Sequence, residues 1–504
     1  MSEVFAQVSV PVEAMPYAPP VLPSMPMSFA CVQAPSPTVD STEHLDPRKP
    51  VDMADHYVKS RYMSADGLLR IAVMDDEFYL YTGSKYKVTQ DIQLEQDVQR
   101  WLREQTYVHY VKGQKVTEPL LVNSNMVNEV ITAMKRELAI ERPELPAWRD
   151  EVQTDRPDPS RCIAMKNGIL NVDAFLAREP ASVYMIPPTP AFICTSALDF
   201  DFDPAAPSPT AWLAFLESVF PNDLDAPRLL RQWFGYSVMP DNSQQKIMLF
   251  RGPTRAGKGV TANILTALLG EKAMEPCSIA ELSSPFGLWP LMNASMTILG
   301  DARVPKWGDT SALVEKLLNI SGNDYVQVHR KFKSSVKMKL KTRILWISNE
   351  IPKLLDTSTA LANRFVILFF KESFLGREDL GLEDRLMAEL AGIFLWALEG
   401  LRDLDRLGHF TRPASSEESH TDLVELASPI RTFVGDCCEV GEGYSVSLDG
   451  LYLAWKQWWE NQEGYPGTRK NLIHQLTTSY RSIHLTRPGN GPKRQREFTG
   501  IRVV

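Results

Sequence analysis

A glycine-rich loop that ends in a lysine is the feature of this sequence whose residue types and spacing could do chemistry. Gly252, Gly257 and Lys258 form the pattern G-x-x-x-x-G-K. Glycines at these places let backbone N–H groups turn inward around phosphate oxygens, and a solvent-accessible lysine can reach the β- and γ-phosphates of a nucleotide. The pattern therefore predicts a P-loop. Its predicted nucleotide contacts are Gly252, Pro253, Thr254, Arg255, Ala256, Gly257, Lys258, Gly259 and Val260.

The segments on either side of the loop are those that a P-loop needs. Ile247 to Phe250 is a short apolar run of the kind that forms a buried strand. After the loop, apolar residues recur at helical spacing from Val260 to Leu269, and Gly270 supplies a stop. The helix would turn the positive end of its dipole toward a phosphate. A glycine turn that binds nothing is the alternative, but the lysine and both flanking segments favour nucleotide binding.

One position departs from the usual motif. The residue after Lys258 is Gly259, where Ser or Thr usually offers a hydroxyl to Mg²⁺. Thr261 lies two residues further along the predicted helix and therefore points to a different face. The sequence leaves open which residue of this segment, if any, binds the metal.

Three polar residues beside later predicted strands could take part in nucleotide hydrolysis. Asp301 follows the run MTILG, where an aspartate can coordinate Mg²⁺ or orient the attacking water. Asn349 follows the run RILWIS and can hydrogen-bond the γ-phosphate or that water. Arg364 precedes an apolar run and could stabilise transition-state charge on a nucleotide held by a neighbouring subunit. The alternatives are a strand that merely ends in aspartate and, for Arg364, a surface salt bridge.

A predicted β-hairpin with a basic tip lies between the strand that precedes Asp301 and the strand that precedes Asn349. Tyr325 to His329 alternates like a strand, Val336 to Leu340 could return, and the tip contains Lys331, Phe332 and Lys333. Cations beside a phenyl ring suit contact with single-stranded nucleic acid. A solvated charged turn is the alternative.

The order of these motifs resembles the superfamily 3 helicases, and within them the phage and plasmid primase-helicase family related to the poxvirus primase-helicase. The stretches that carry the resemblance are GPTRAGKG, MTILGD, KLLNISGNDYVQVHRKFK, ILWISNEIP and ANRFVILFF. Upstream, NGILNV, a DFDP-type linker and helices with W-x-x-F-L and Q-W-F-G-Y are similar to the domain that precedes the ATPase in that family. The likeness covers roughly Ala164 to Val504.

The resemblance implies a hexameric ring that hydrolyses ATP with Mg²⁺ and unwinds DNA in the replication of a phage, plasmid or other mobile element. It implies that Lys258 contacts phosphate, that Asp301 serves Mg²⁺ and water, and that Asn349 senses the γ-phosphate. It further implies that Arg364 is a finger supplied in trans and that the hairpin tip tracks DNA.

The helices and strands predicted around these residues indicate an α/β protein with three folded parts. An α+β N-terminal domain would occupy 51–225, a P-loop NTPase (AAA+-like) core 226–410, and a C-terminal winged helix 425–504. Residues 1–50 are rich in proline and predict a disordered tail, which could also carry a partner-binding peptide. In the winged helix, a basic tip with Lys493 and Arg494 predicts contact with a phosphate backbone. A wing packed on its own ATPase is the alternative.

Composition limits the remaining possibilities. The net charge of −8 over 504 residues argues against coating nucleic acid by bulk attraction, so DNA contacts must come from local basic patches. The six cysteines include no C-x-x-C pair, which favours reduced thiols over zinc or disulfides. No apolar run approaches membrane-spanning length, and we expect a cytoplasmic protein of a bacterial host cell with no membrane partner.

Two other functions remain open at the level of sequence. One is a P-loop ATPase that loads or remodels replication proteins. The other is a non-enzymatic origin-binding protein with a degenerate ATPase, which Gly259 and the lone Asp301 motivate. The N-terminal half offers no convincing carboxylate cluster for a primase, so a separate primase or polymerase is a possible partner.

Overall fold

The structure is a computed structural model that describes most of the chain. The described residues are 45–141, 143–149, 155–270, 273–300, 311–352, 354, 360–461, 465–487 and 496–504. Asp301 and the predicted wing tip, Lys493 and Arg494, lie outside these ranges. Of the predicted tail, 45–50 is described, and there Leu45 is buried and Pro50 opens the first helix.

The N-terminal region combines three helices with two small antiparallel sheets. Its elements are α1 (Pro50–Tyr62), β1 (Ile71–Met74), β2 (Glu77–Tyr81), β3 (Tyr86–Thr89), α2 (Asp91–Arg103), β4 (Thr106–Val111), β5 (Gln114–Pro119) and α3 (Ser124–Glu137). Strands β1, β2 and β3 form one sheet, and β4 pairs with β5 in a separate hairpin. The helices share an apolar core around Tyr57, Val98 and Val130.

A segment of short elements leads from this region to the main sheet. Its elements are β6 (Ala147–Trp148), β7 (Cys162–Met165), β8 (Gly168–Asn171), α4 (Val172–Leu176), α5 (Ala181–Tyr184), β9 (Met185–Ile186), β10 (Phe192–Ile193), α6 (Thr210–Val219) and α7 (Asp225–Val238). The turn between β7 and β8 lies at the Asn-Gly dipeptide Asn167-Gly168. Helices α6 and α7 bury Trp212 and Trp233 against the main sheet.

The main sheet has five parallel strands in the order β12-β13-β16-β11-β17. The elements of this part are β11 (Ile247–Arg251), α8 (Lys258–Leu269), β12 (Met274–Pro276), α9 (Ile279–Ser283), β13 (Met296–Gly300), α10 (Ser311–Gly322), β14 (Tyr325–Arg330), β15 (Lys333–Lys339), β16 (Arg343–Ser348), α11 (Ala360–Arg364) and β17 (Phe365–Phe369). Strands β14 and β15 form the predicted hairpin apart from this sheet.

The central position of β11 follows from its unbroken apolar run. Side chains alternate across a strand, so Met248 and Phe250 enter the core on one face of the sheet. Ile247 and Leu249 enter the core on the other face. A strand buried on both faces is typical of a parallel sheet covered by helices.

The C-terminal part holds a long helix and a separate small module. Its elements are α12 (Leu382–Met387), α13 (Leu390–Leu407), α14 (Glu417–Ala427), α15 (Pro429–Cys437), β18 (Cys438–Ser447), α16 (Leu448–Asn461), α17 (Arg469–Ser479), β19 (His484–Thr486) and β20 (Glu497–Val503). Helices α15, α16 and α17 pack on the antiparallel sheet β18-β20-β19 around Phe433 and Trp455.

Three 3₁₀ turns complete the described elements, at Pro159–Arg161, Pro290–Asn293 and Ala414–Ser416. The helices within the described ranges include none long and apolar enough to cross a membrane. The five described cysteines are free thiols.

Candidate functional site

The glycine loop joins the carboxyl end of β11 to the amino end of α8. Gly252 has a φ of 153° and Gly257 a φ of 91°, which L side chains rarely adopt. A Cβ at Gly252 would also lie 2.1 Å from the carbonyl oxygen of Phe370. Both glycines are therefore required by conformation, and Gly252 by close packing as well. The backbone N–H groups at the start of α8 open toward the same loop, as a phosphate site requires.

Lys258 lies beneath this loop and is buried, with 8% of its surface exposed. Its ammonium donates to the carbonyl oxygens of Gly252 and Pro253, the latter at 2.6 Å, and to Oδ1 of Asn349 at 2.9 Å. The expectation of a solvent-accessible lysine was wrong, because these oxygens draw the ammonium inward. A phosphate could replace them with stronger, charge-assisted hydrogen bonds.

Asn349 reaches Lys258 because of the order of strands in the sheet. Strand β16 lies beside β11, with Ser348 in register with Arg251, so the next residue on each strand emerges at the same edge. The sequence predicted both residues for one site, and the sheet brings them together. Ligands of open α/β sheets bind outside this carboxyl edge.

A pocket of about 950 Å³ continues from the loop. Its lining includes the face of α6 that carries Phe215 and Ser218 and the segment from Phe374 to Arg385. This volume is in the range of pockets that take nucleotide-sized ligands. The W-x-x-F-L helix, which contains Phe215, was assigned from the sequence only to the domain that precedes the ATPase, and no residue from Phe374 to Arg385 was predicted for the site.

The segment after β17 forms hydrogen bonds and an ion pair with the glycine loop. The N–H of Phe374 donates to the carbonyl of Arg255 at 2.8 Å, and Oγ of Ser373 donates to the carbonyl of Thr254 at 2.9 Å. The guanidinium of Arg255 lies 3.6 Å from the carboxylate of Glu378. These contacts tie the carbonyls of Thr254 and Arg255 to the segment after β17, whereas the carbonyls of Gly252 and Pro253 accept from Lys258.

The described residues supply little for a metal ion. Asp301, the predicted Mg²⁺ ligand, lies outside them, and within them no group of three or more His, Cys, Asp or Glu could hold a metal. Thr261 is buried, and its hydroxyl donates to the carbonyl of Gly257 at 2.9 Å. Gly259 faces open space, since an added Cβ would meet nothing within 4 Å.

Arg364 lies at the amino ends of the strands of the main sheet, whereas Lys258 lies beyond their carboxyl ends. It precedes β17, whose first residue, Phe365, is in register with Ile247 at the start of β11. The length of β11 therefore separates Arg364 from the glycine loop by roughly 15 Å. Its guanidinium donates to the backbone and side-chain oxygens of Gln245, so the fold does not bring it to Lys258 within one chain.

Other cations surround Arg364. The ammonium of Lys246 donates to the carbonyl of Asn363 at 2.7 Å. Burial lowers the pKa of Lys246, and the positive charges of Arg412 and Arg364 lower it further. These three side chains therefore concentrate positive charge at the amino edge of the sheet.

The hairpin tip has the predicted exposure, but one of its cations is paired. Phe332 is fully exposed at a positive φ of 61°. Nζ of Lys331 lies 5.7 Å from the ring centroid of Phe286, and Nζ of Lys333 contacts the carboxylate of Glu77 in β2. The tip is thus held against the N-terminal region, which the sequence did not predict.

The comparisons with known proteins concern two adjacent regions. Residues 59–221 match a family described as D5 N terminal like, and residues 250–364 match a family of unknown function, DUF5906. The second range contains the glycine loop, Asn349 and Arg364. The first begins well before Ala164, so the relation to known proteins extends further toward the N-terminus than the sequence stretches indicated.

Solved structures with a similar course of the chain include the apo structure of the NrS-1 C terminal region. That structure is 14% identical, with a TM-score of 0.49, over 90% of this chain and 99% of the other. The A form apo structure of the same region is 13% identical, with a TM-score of 0.47, over 90% and 99%. In this chain, the range that matches the D5 N terminal like family precedes the range that matches DUF5906, and the second range carries the glycine loop.

Proposed function

We propose that this chain is an ATP-dependent DNA helicase of the phage primase-helicase type, which unwinds duplex DNA in the replication of a phage, plasmid or other mobile element. The observation that carries the proposal is the contact between Lys258 and Asn349 beneath a left-handed glycine loop at the start of α8. The D5 N terminal like match supports a replication protein of the primase-helicase type.

ATP is the ligand that this site would take. The N–H groups of 252–260 would hold its phosphates as a P-loop does, the pocket between α6 and Phe374 would take the nucleoside, and Lys258 would balance charge on the β- and γ-phosphates. Asp301 would hold Mg²⁺, and the ion would supply positive charge against the negative charge that develops on the phosphates. Asn349 would orient the γ-phosphate or the attacking water.

Hydrolysis would be completed by a neighbouring subunit. Arg364 lies too far from Lys258 to act on the same nucleotide, but a head-to-tail contact would place it at the next subunit's glycine loop. Repetition of such a contact closes into a ring, which we infer to be a hexamer. The positive charge of Lys246 and Arg412 beside Arg364 would suit a surface that meets phosphates.

DNA would contact the hairpin tip and the C-terminal module. Lys331, Phe332 and Lys333 would track a single strand, since phenyl rings stack on bases and cations meet phosphates. We interpret the module of α15, α16, α17 and the sheet β18-β20-β19 as a winged helix. Its Arg502 is bound to Glu439, so exposed residues such as Arg481 and Arg487 would contribute the charge.

The test is ATP hydrolysis by the full chain with and without single-stranded DNA, together with strand displacement on a forked duplex. We expect stimulation by DNA, and we expect Lys258→Ala to lower hydrolysis on the order of 10²-fold or more, because a buried charge that stabilises the transition state is lost. Lys456→Ala, at an exposed lysine of α16, is the matched control.

Three results would overturn this assignment. Normal turnover in Lys258→Ala would contradict the nucleotide site. DNA-stimulated hydrolysis without strand separation would instead indicate an ATPase that loads or remodels replication proteins. DNA binding with no hydrolysis would indicate an origin-binding protein with a degenerate ATPase.

A further inference from the structure

The β14–β15 hairpin has an outward face with the chemistry of a nucleic-acid contact well beyond its tip. The strands alternate, so that Val326, Val328 and Val336 are buried while the other face is turned outward. We call this side the hairpin face. Its residues are Tyr325, Gln327, His329, Ser335, Lys337 and Lys339.

Tyr325 is the aromatic centre of the hairpin face. It is 56% exposed and lies directly opposite Lys339 in the register of the two strands. Nζ of Lys339 is 4.9 Å from the centroid of its ring, and Nζ of Lys337 is 5.3 Å from it. A base stacked on this ring would have two ammonium groups within reach of its flanking phosphates.

A carboxylate of the N-terminal region already occupies one end of the hairpin face. Glu144 accepts a hydrogen bond from the hydroxyl of Tyr325 at 3.1 Å and contacts Nζ of Lys339 at 2.8 Å. The Lys339 ammonium lowers the pKa of this carboxyl, and the Tyr325 hydroxyl contributes. Glu144 is therefore an anion placed where a phosphate oxygen would meet the same two groups.

Glu77 repeats this arrangement at the tip. Its carboxylate contacts Lys333 and lies 3.9 Å from the buried guanidinium of Arg330. The side chain of Glu77 is 15% exposed, so the tip cation meets a largely enclosed carboxylate rather than a solvated one. Two acidic residues of one region thus cover cations at both ends of the hairpin.

We propose that the hairpin face binds a single nucleic-acid strand, with a base stacked on Tyr325 and phosphates on Lys337 and Lys339, and that the strand displaces Glu144 to do so. This inference rests on the proposed function and extends its DNA contact from the tip to the flank of the hairpin. A strand is a better fit than an acidic peptide, because an exposed ring between two cations matches a base with its flanking phosphates.

Binding of a labelled oligothymidine to the full chain, measured by fluorescence anisotropy with Mg²⁺ and a non-hydrolysable ATP analogue, tests the proposal. We expect Tyr325→Ala to weaken binding on the order of tenfold, and Tyr325→Phe to retain most of it, because the ring carries the stacking. Lys337→Ala should weaken binding and reduce the slope of log affinity against log salt by about 0.7. Glu144→Gln should strengthen binding, since the competing anion is removed.

The β4–β5 hairpin offers matched controls. Tyr110 is 72% exposed and lies directly opposite Lys115, as Tyr325 lies opposite Lys339. The hydroxyl of Tyr107 donates to Glu118 at 3.1 Å, the same pairing and distance as Tyr325 with Glu144. Among the described residues, however, no pair of ammonium groups lies over the ring of Tyr110 as Lys337 and Lys339 lie over that of Tyr325, so Tyr110→Ala and Glu118→Gln should bind oligothymidine as the unchanged chain does.

The outcomes distinguish failure of this inference from failure of the proposed function on which it rests. If the tip variant Lys331→Ala/Lys333→Ala loses binding while Tyr325→Ala and Lys337→Ala bind normally, the strand ends at the tip and the inference is wrong. If poly-glutamate binds as tightly as oligothymidine and Tyr325→Ala weakens it equally, the hairpin face belongs to an acidic protein partner. If the unchanged chain neither hydrolyses ATP nor binds oligothymidine, the proposed function itself fails.

Discussion

At the scale of single residues, the three glycines of the loop segment differ in what they require. Gly252 and Gly257 adopt positive φ, and Gly252 lies against the backbone of Phe370. Gly259 has no such constraint, because nothing lies within 4 Å of a Cβ built there. The hydroxyl that other P-loops place at this position would therefore fit, and its absence reflects no steric demand of the fold.

Gly259→Ser tests whether this position limits metal binding. We expect ATP hydrolysis to persist and the Mg²⁺ concentration for half-maximal hydrolysis to fall about fivefold, equivalent to one added polar contact of about 1 kcal/mol. The measurement is hydrolysis against Mg²⁺ at saturating ATP. Gly252→Ser is the control and should lose nucleotide binding, since its side chain would collide with Phe370. An unchanged Mg²⁺ dependence in Gly259→Ser would show that no metal lies within reach of that position.

At the scale of elements, α7 and α13 support the site by packing behind the main sheet. A Cβ at Gly235 would lie 2.2 Å from the carbonyl oxygen of Ala397, so glycine is what lets the two helices approach so closely. The buried carboxylate of Asp403 joins them, because it accepts from the guanidinium of Arg228 at 2.6 and 2.8 Å and from Gln232 at 3.0 Å. Arg406 adds a contact at 2.9 Å.

The Asp403 contacts predict an acid-sensitive stability. The Arg228 guanidinium, with Gln232 and Arg406, holds the pKa of the Asp403 carboxyl well below its usual range. A lowered pKa in the folded state stabilises the protein above the ordinary carboxyl pKa of about 4, and this stabilisation is lost as the pH falls toward the folded value. We expect Asp403→Asn to lower the free energy of unfolding at neutral pH by roughly 2 kcal/mol, because it weakens a largely buried ion pair.

Urea unfolding of the unchanged chain and of Asp403→Asn measures this effect. The difference in the free energy of unfolding between the unchanged chain and Asp403→Asn should narrow as the pH is lowered below about 4. Glu399→Gln is the control, since Glu399 pairs with Arg402 at an exposed place on the same helix and such pairs contribute little. A gap that stays constant with pH would show that the charge of Asp403 is not what stabilises the helix pair.

At the scale of the whole molecule, the main sheet places the two groups of residues that we propose for ATP hydrolysis at opposite ends of its strands. Lys258 and Asn349 lie at the carboxyl edge, and Arg364 lies at the amino edge with Lys246 and Arg412. A chain built this way would complete its site only through a second copy, and a head-to-tail contact would repeat around a ring.

Mixing two inactive variants tests that arrangement. Arg364→Ala should bind ATP nearly normally and hydrolyse it on the order of 10³-fold more slowly, because a finger acts on transition-state charge. A mixture of Arg364→Ala with Lys258→Ala should recover part of the activity, since some interfaces would join an intact lysine to an intact arginine. Arg100→Ala, an exposed arginine of α2, is the control. Verified mixed assemblies without recovery would contradict action in trans.

The sequence by itself determined the local pieces. A strand, a glycine loop and a helix are encoded within 247–269, because apolar spacing and the freedom of glycine act over a few residues. The alternation of the β14–β15 hairpin was predicted for the same reason, and its strands agree with the structure, although β15 begins earlier, at Lys333.

Tertiary structure decided which of these pieces meet. Asn349 lies 91 residues from Lys258 and reaches it because β16 pairs beside β11, and no local pattern encodes the order of parallel strands. The pairing of β17 with β11 places Arg364 at the amino ends of the strands, away from Lys258. Packing of the N-terminal region brings Glu77 and Glu144 into contact with the β14–β15 hairpin. Burial of Lys258 also depended on oxygens that converge only in the folded chain. Strand order and packing between regions are set by contacts across long sequence separations, which spacing along the chain does not record.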